Sequence, residues 1–222
     1  MKRIISLALA LTLVVCMLCM SACGLKKSSI SNITKDSSPT RINTLVEYVV
    51  GNGEDTLRQV YTTEIDAEGK RAIFTYARDR YALPEEMSET RIIRDKGTVL
   101  YDMEKKSSSD DGGKSWAADG VAEEDFALKI EASHFKEYSL SPDGNIATGV
   151  LAQKDSKEVL GNEIATKDDS DITVIISTDG RYLQSLDIYY TATSGAKVAV
   201  STSYSYAKIT IDATYNGLKA ED

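Results

Sequence analysis

From residue 43 onward, apolar and polar positions alternate with a period of two between short turn-forming runs, the pattern of half-buried strands. Residues 45–50 are apolar apart from Glu47, and Gly51-Asn52-Gly53 then turns the chain. Leu57, Gln59, Tyr61, Thr63 and Ile65 share one face of the next strand. Ala67-Glu68-Gly69 predicts a three-residue hairpin in which the glycine supplies a positive φ. Ala72, Phe74 and Tyr76 continue the inward face, Arg78-Asp79-Arg80 mark its polar end, and Pro84 closes the strand region. Ile92-Ile93 and the run from Val99 to Met103 predict two strands flanking a hairpin at Asp95-Lys96-Gly97.

Residues 107–114 read as a Ser/Asp/Gly loop followed by Trp116. The best helix is 122–132, where Glu123, Glu124 and Asp125 load the positive end of the helix dipole and Phe126 and Ile130 start a buried stripe. Beyond it Pro142-Asp143-Gly144 turns the chain, and Ile146, Thr148, Val150 and Ala152 alternate. Residues 154–170 are charged and predict a loop with one helical turn. Ile172, Val174, Ile176 and Thr178 form a strand into Asp179-Gly180. Tyr182, Leu186, Ile188 and Tyr190 form the next, and Ser194-Gly195 turns into Val198, Val200, Thr202, Tyr204 and Tyr206. These last three strands predict a meander. The fold class that follows is mainly β (α+β): a curved antiparallel sheet or half-open β-barrel with one or two short helices. Residues 41–222 are long enough to bury one sizeable core and predict a single β-rich domain.

The N-terminal pattern differs. Lys2 and Arg3 precede an apolar stretch from Ile4 to Met20 broken only by Ser6 and Thr12, a length short for a membrane span and apt for a secretory leader. The small residues Ser21 and Ala22 then give a peptidase extended, uncrowded backbone just before Cys23. The run Leu18-Cys19-Met20-Ser21-Ala22-Cys23-Gly24 resembles the lipobox of bacterial lipoproteins. That resemblance implies a signal peptide over residues 1–22 and acylation (palmitate among the chains) of Cys23. It also implies a lipid anchor on the extracytoplasmic face of a cell membrane. Two or three acyl chains would hold firmly, at about 0.8 kcal/mol per buried CH₂. Residues 24–40 are mostly Lys, Ser, Asn, Thr and Asp, a flexible linker with a reach of roughly 20–25 Å.

Composition agrees with that compartment. Cys16 and Cys19 lie in the leader, so a chain beginning at Cys23 has no disulfide and no cysteine metal site. Removing residues 1–22 takes away Lys2 and Arg3 and no acid, moving the net charge from −8 to −10. A protein that acidic is a poor partner for nucleic acid. Twelve Tyr against three Phe and one Trp suit strands with an apolar ring and a wet hydroxyl.

Gly97-Thr98-Val99-Leu100-Tyr101 with Gly113-Lys114-Ser115-Trp116, and Thr178-Asp179-Gly180-Arg181-Tyr182-Leu183 leading into alternating Tyr and Ile, give a strand–helix–meander layout. Over residues 42–211 this layout resembles the LolA/LppX-like lipoproteins. The resemblance implies a half-open antiparallel barrel whose concave face holds acyl chains, with two or three helices across its mouth.

Catalytic chemistry has little to work with. His134 is the only histidine, so any nucleophile–histidine pair or histidine metal site would have to use it. Solvation or capping explains the acidic runs Asp110-Asp111, Glu123-Glu124-Asp125 and Asp168-Asp169-Ser170-Asp171, and the last of them lacks the alternating spacing of a calcium loop. No motif calls for a cofactor. What remains is aromatic: Phe74, Tyr76, Trp116, Tyr182, Tyr190, Tyr204 and Tyr206 are the candidate ligand-binding residues if they line one concave surface. The expected function is a noncatalytic, membrane-anchored lipoprotein that binds a lipid or other hydrophobic ligand. The competing expectation is a filled core in an envelope protein-interaction module.

Overall fold

A computed structural model describes residues 38–50, 55–84, 91–118, 132–160 and 163–212. The described chain is mainly β, an open, curled antiparallel sheet of ten strands. These are β1 (Arg41–Val50), β2 (Asp55–Asp66), β3 (Arg71–Tyr81), β4 (Ile92–Asp102), β5 (Ser107–Ser109), β6 (Phe135–Leu140), β7 (Ile146–Leu151), β8 (Ile172–Thr178), β9 (Leu183–Thr191) and β10 (Lys197–Ser205). Their spatial order is β5-β4-β3-β2-β1-β10-β9-β8-β7-β6. The sheet is therefore two five-stranded meanders fused where β1 meets β10, in register from Arg41 opposite Ser205 to Val49 opposite Lys197.

The predicted β8–β9–β10 meander is present, with Val174 opposite Ile188 and Val200 opposite Ile188 on one face. The predicted hairpin at Asp95-Lys96-Gly97 is absent, because β4 runs unbroken through it. Gly97 is there for contact: a Cβ at this position would lie 2.3 Å from the Tyr76 hydroxyl oxygen, so the tyrosine ring of β3 is seated on the glycine. Gly149 in β7 has the same role, since its Cβ would lie 2.3 Å from the Phe135 ring. At the β2–β3 turn the positive φ falls on Lys70, at 53°. Gly69 instead leaves room for the Asp66 carboxylate, which would lie 2.4 Å from a Cβ and accepts a 2.8 Å hydrogen bond from the Gly69 N–H.

The predicted loop at 107–114 begins with a strand. β5 pairs Leu100 with Ser109 and Tyr101 with Ser108 of the three serines, a match set by backbone hydrogen bonds with no hydrophobic alternation. In β7 the buried phase is Ala147, Gly149 and Leu151, and Ile146 faces solvent at 46% exposure. The predicted helix at 122–132 lies outside the described residues except for Ala132, which opens a 3-10 turn, Ala132–His134, leading into β6. The charged 154–170 segment carries one short helix, α1 (Ser156–Leu160), between two 3-10 turns.

In-register partners share a face, so the pairing sorts every strand residue to one side or the other. The inner side holds the main core: Leu151, Ile172, Val174 and Leu183 are fully buried, with Val159 of α1 packed among them. A smaller cluster on the same side joins Ile65, Ala72 and Met103. The outer side is polar. One row runs Thr98, Thr75, Thr62, Asn43, Ser203, Ser185 and Ser177 across seven strands. A second row alternates Arg94, Asp79, Arg58 and Glu47, with Arg94 Nε donating to Asp79 at 2.7 Å and Arg58 Nε to Glu47 at 2.9 Å. The outer side is covered at one corner, where residues 207–212 pack Ile211 against Ile73 and Leu100. Asp66 fastens that segment by accepting the Ile211 N–H at 3.0 Å.

Candidate functional site

The inner side differs between its two halves. Over β6–β10 it is closed by α1 and the chain after it: Val159, Leu160 and Ile164 pack onto the core that contains Ile172, Ile176, Leu186 and Ile188. Over β1–β4 the inner residues Tyr48, Leu57, Tyr61, Phe74, Tyr76 and Val99 are partly buried and belong to none of the buried clusters.

At the centre of that open half, three rings form a row. Tyr61 stacks on Phe74 at 5.8 Å between centroids with the planes 13° apart, and Phe74 meets Tyr76 at 6.1 Å. The register dictates the row: Tyr61 is opposite Tyr76, and Thr63 is opposite Phe74. Tyr76 leans over Gly97, and the Arg78 guanidinium lies 4.3 Å from its ring centroid. Aromatic pairs of this geometry contribute about 0.5–1.5 kcal/mol beyond their buried area, and an exposed cation–π contact about 0.5–1 kcal/mol. The Tyr61 hydroxyl donates to Gln59 Oε1 at 2.5 Å, and burial of its ring raises the phenol's pKa. The floor is thus three aromatic rings, with the Tyr61 hydroxyl bonded to a neighbour.

Arg78, Arg80 and Asp95 border the row. Arg78 is opposite Asp95 in the register, and Asp95 accepts a 2.9 Å bond from Arg80. At the other margin a depression of about 340 Å³ is lined by Val99, Tyr101, Ser108, Ser109, Asp110, Ser115 and Ala117. A depression of about 470 Å³ lies elsewhere, at the ends of β1, β9 and β10, where Glu47, Asp171 and Lys197 mix with Val49, Tyr189 and Tyr190.

The structure separates the seven aromatic candidates into groups. Phe74 and Tyr76 lie in the open row, joined by Tyr61. Tyr204 is sealed in the core at 7% exposure, and desolvation drives its hydroxyl pKa well upward. Tyr190 and Tyr206 pack against the same core. Tyr182 stacks on Tyr206 at 4.5 Å near the β8–β9 turn, and Tyr206 donates its hydroxyl to the Leu183 carbonyl at 2.8 Å. Trp116 stands apart in the segment after β5, 45% exposed, its indole N–H bonded to the Gly113 carbonyl at 3.2 Å. Gly113 approaches both that ring and Leu100, an outer-side residue, which places Trp116 across the sheet from the row. Cys23 lies outside the described residues.

Sequence patterning places Tyr61 on the correct face but gives no reason to choose it over its neighbours, and it reads Arg78 as strand-end polarity. The signal for both is the register, which no local pattern carries. Of the acidic runs, Glu123-Glu124-Asp125 lies outside the described residues, and each of the other two holds an acid with a structural partner. Asp111 accepts bonds from Ser109, Lys114 and Ser115, which hold its pKa far below the ordinary carboxylate value, and Asp171 pairs with Lys136. Among the described residues no three His, Cys, Asp or Glu side chains are grouped to hold a metal ion. None of the described helices is long and apolar enough to cross a membrane.

No protein-family model and no curated protein matches this sequence. Among solved structures, the chain is similar to a domain described as an outer membrane lipoprotein-sorting protein from Vibrio parahaemolyticus. That similarity has a TM-score of 0.26 at 11% identity and covers 87% of this chain and 96% of the other. It is also similar to a DUF1329 family protein from Desulfovibrio piger, with a TM-score of 0.28 at 10% identity, covering 85% of this chain and 94% of that one.

Proposed function

We propose that this protein is a noncatalytic lipoprotein, anchored by Cys23 at the extracytoplasmic face of a cell membrane, whose inner sheet face binds a lipid or other hydrophobic ligand. The observation that carries the binding half is the row Tyr61–Phe74–Tyr76, an apolar strip left partly exposed beside a half-sheet whose matching surface is covered. An acyl chain laid along it gains about 0.8 kcal/mol per covered methylene. Ten methylenes, roughly 8 kcal/mol, offset the lower part of the about 4–15 kcal/mol that association costs. The anchoring half rests on the leader and on the small residues before Cys23.

Native mass spectrometry of residues 24–222, purified without detergent, tests the binding. A bound mass that extracts into organic solvent and fragments as a lipid supports the reading and names the ligand class. Bare protein that stays bare when lipid is added refutes it and favours an envelope protein-interaction module.

A further inference from the structure

Among the described residues, one cation stands without an ion pair beside the aromatic row. The charged inner residues nearest the row are Arg78, Arg80 and Asp95, with Asp110 at its other margin. Asp95 is engaged by Arg80 at 2.9 Å, and Arg78 makes no ion pair among the described residues. Its guanidinium is instead laid on the Tyr76 ring at the end of the row, and the residue is exposed to solvent. A planar guanidinium held this way offers paired donors to a carboxylate or phosphate.

We propose that the ligand of the inner face is a single-chain anionic amphiphile, its acyl chain along Tyr61, Phe74 and Tyr76 and its headgroup on Arg78. This rests on the reading of the inner face as a hydrophobic-ligand site and goes beyond it by fixing the charge and direction of the ligand. A cationic head at this point meets like charge. A neutral head leaves the guanidinium edge with water and gains only the apolar term.

Calorimetric titration of the purified protein with decanoate, decyl phosphate, decanol and decylammonium, each below its aggregation concentration, tests this. The anions should bind at least about tenfold more tightly than decanol, the size of one charge-assisted contact, and decylammonium most weakly. The tighter of the two anions names the head as carboxylate or phosphate. Arg78→Gln should bring both anions to the decanol level without changing decanol itself, and Arg78→Lys should keep part of the preference. An unfolding midpoint for Arg78→Gln lowered by no more than about 4 °C, the size of the one lost ring contact, ties the loss of binding to the headgroup contact. Equal binding of decanoate and decanol, untouched by Arg78→Gln, overturns the anionic assignment while leaving an apolar-chain site standing. No binding of any of the four overturns the site as well.

Discussion

The seat of Phe135 on Gly149 allows a quantitative test of how the core is assembled. Phe135 is 5% exposed, and a methyl group at residue 149 would fall 2.3 Å from its Cδ1. Gly149→Ala should therefore force the ring aside, an overpacking cost of about 1–3 kcal/mol. Reduced freedom of the unfolded chain offsets about 0.4–1 kcal/mol of that. Phe135→Ala removes the ring and should cost about 3–5 kcal/mol. In the double variant the new methyl group enters the space the ring has left, so the clash disappears. The two changes should then be less harmful together than their sum by about 1–3 kcal/mol. Urea unfolding followed by far-ultraviolet circular dichroism on wild type, both singles and the double gives the four free energies. Additivity within about 0.5 kcal/mol would refute the argument, because it would mean that ring and glycine are independent.

Three further outcomes follow from other contacts. Asp66→Asn should destabilise by about 1–3 kcal/mol, since it weakens the charge-assisted bonds to Ile211 and Gly69 that hold residues 207–212 on the sheet. Those bonds, the Ile211 N–H first, lower the pKa of Asp66 in the folded protein. Its contribution is then complete above the unfolded-state value of about 3.9 and vanishes as the pH falls through the lower folded-state value. Wild-type and Asp66→Asn unfolding midpoints should therefore converge in acid, and a gap that widens there would contradict the assignment. Phe74→Ala should weaken amphiphile binding with modest loss of stability, whereas Tyr204→Ala should cost about 3–5 kcal/mol; equal effects on both readouts would remove the distinction between open row and sealed core. Cys23→Ala should move the protein from the membrane fraction to the soluble extracytoplasmic one and abolish labelling by radioactive palmitate; retention in the membrane would refute anchoring through that residue.

Much of the sheet was legible where alternation was strong. Ile172, Val174 and Ile176, then Leu186 and Ile188, then Val198 and Val200 stand on one side as their period of two requires. Legibility failed where tertiary contact decided. Asp95-Lys96-Gly97 has turn composition, yet the strand passes through because the glycine receives a ring from β3. Ser107–Ser109 has no apolar residue to betray a strand, and its place comes from hydrogen bonds to β4. For the candidate site, the aromatic residue types were visible and their grouping was not. Phe74 stacks with Tyr61 because β2 and β3 pair with Thr63 opposite Phe74, a register that local alternation does not specify. The β1–β10 junction, which sets Tyr204 two strands from Tyr61, joins residues more than a hundred positions apart.

That junction has a kinetic consequence. Each five-stranded meander is built from neighbouring hairpins that close locally, but the sheet becomes continuous only when β10 reaches β1. A pairing of such long sequence separation carries a high contact order, and chains of that topology fold slowly, on the millisecond-to-second scale. Until it forms, β1 and β10 are unprotected sheet edges, open to pairing with another chain. The polypeptide would spend this interval with its two halves assembled and its centre unclosed, so loss or delay of β10 should lead to aggregation more readily than the same damage to β5 or β6, which are edges in the finished sheet.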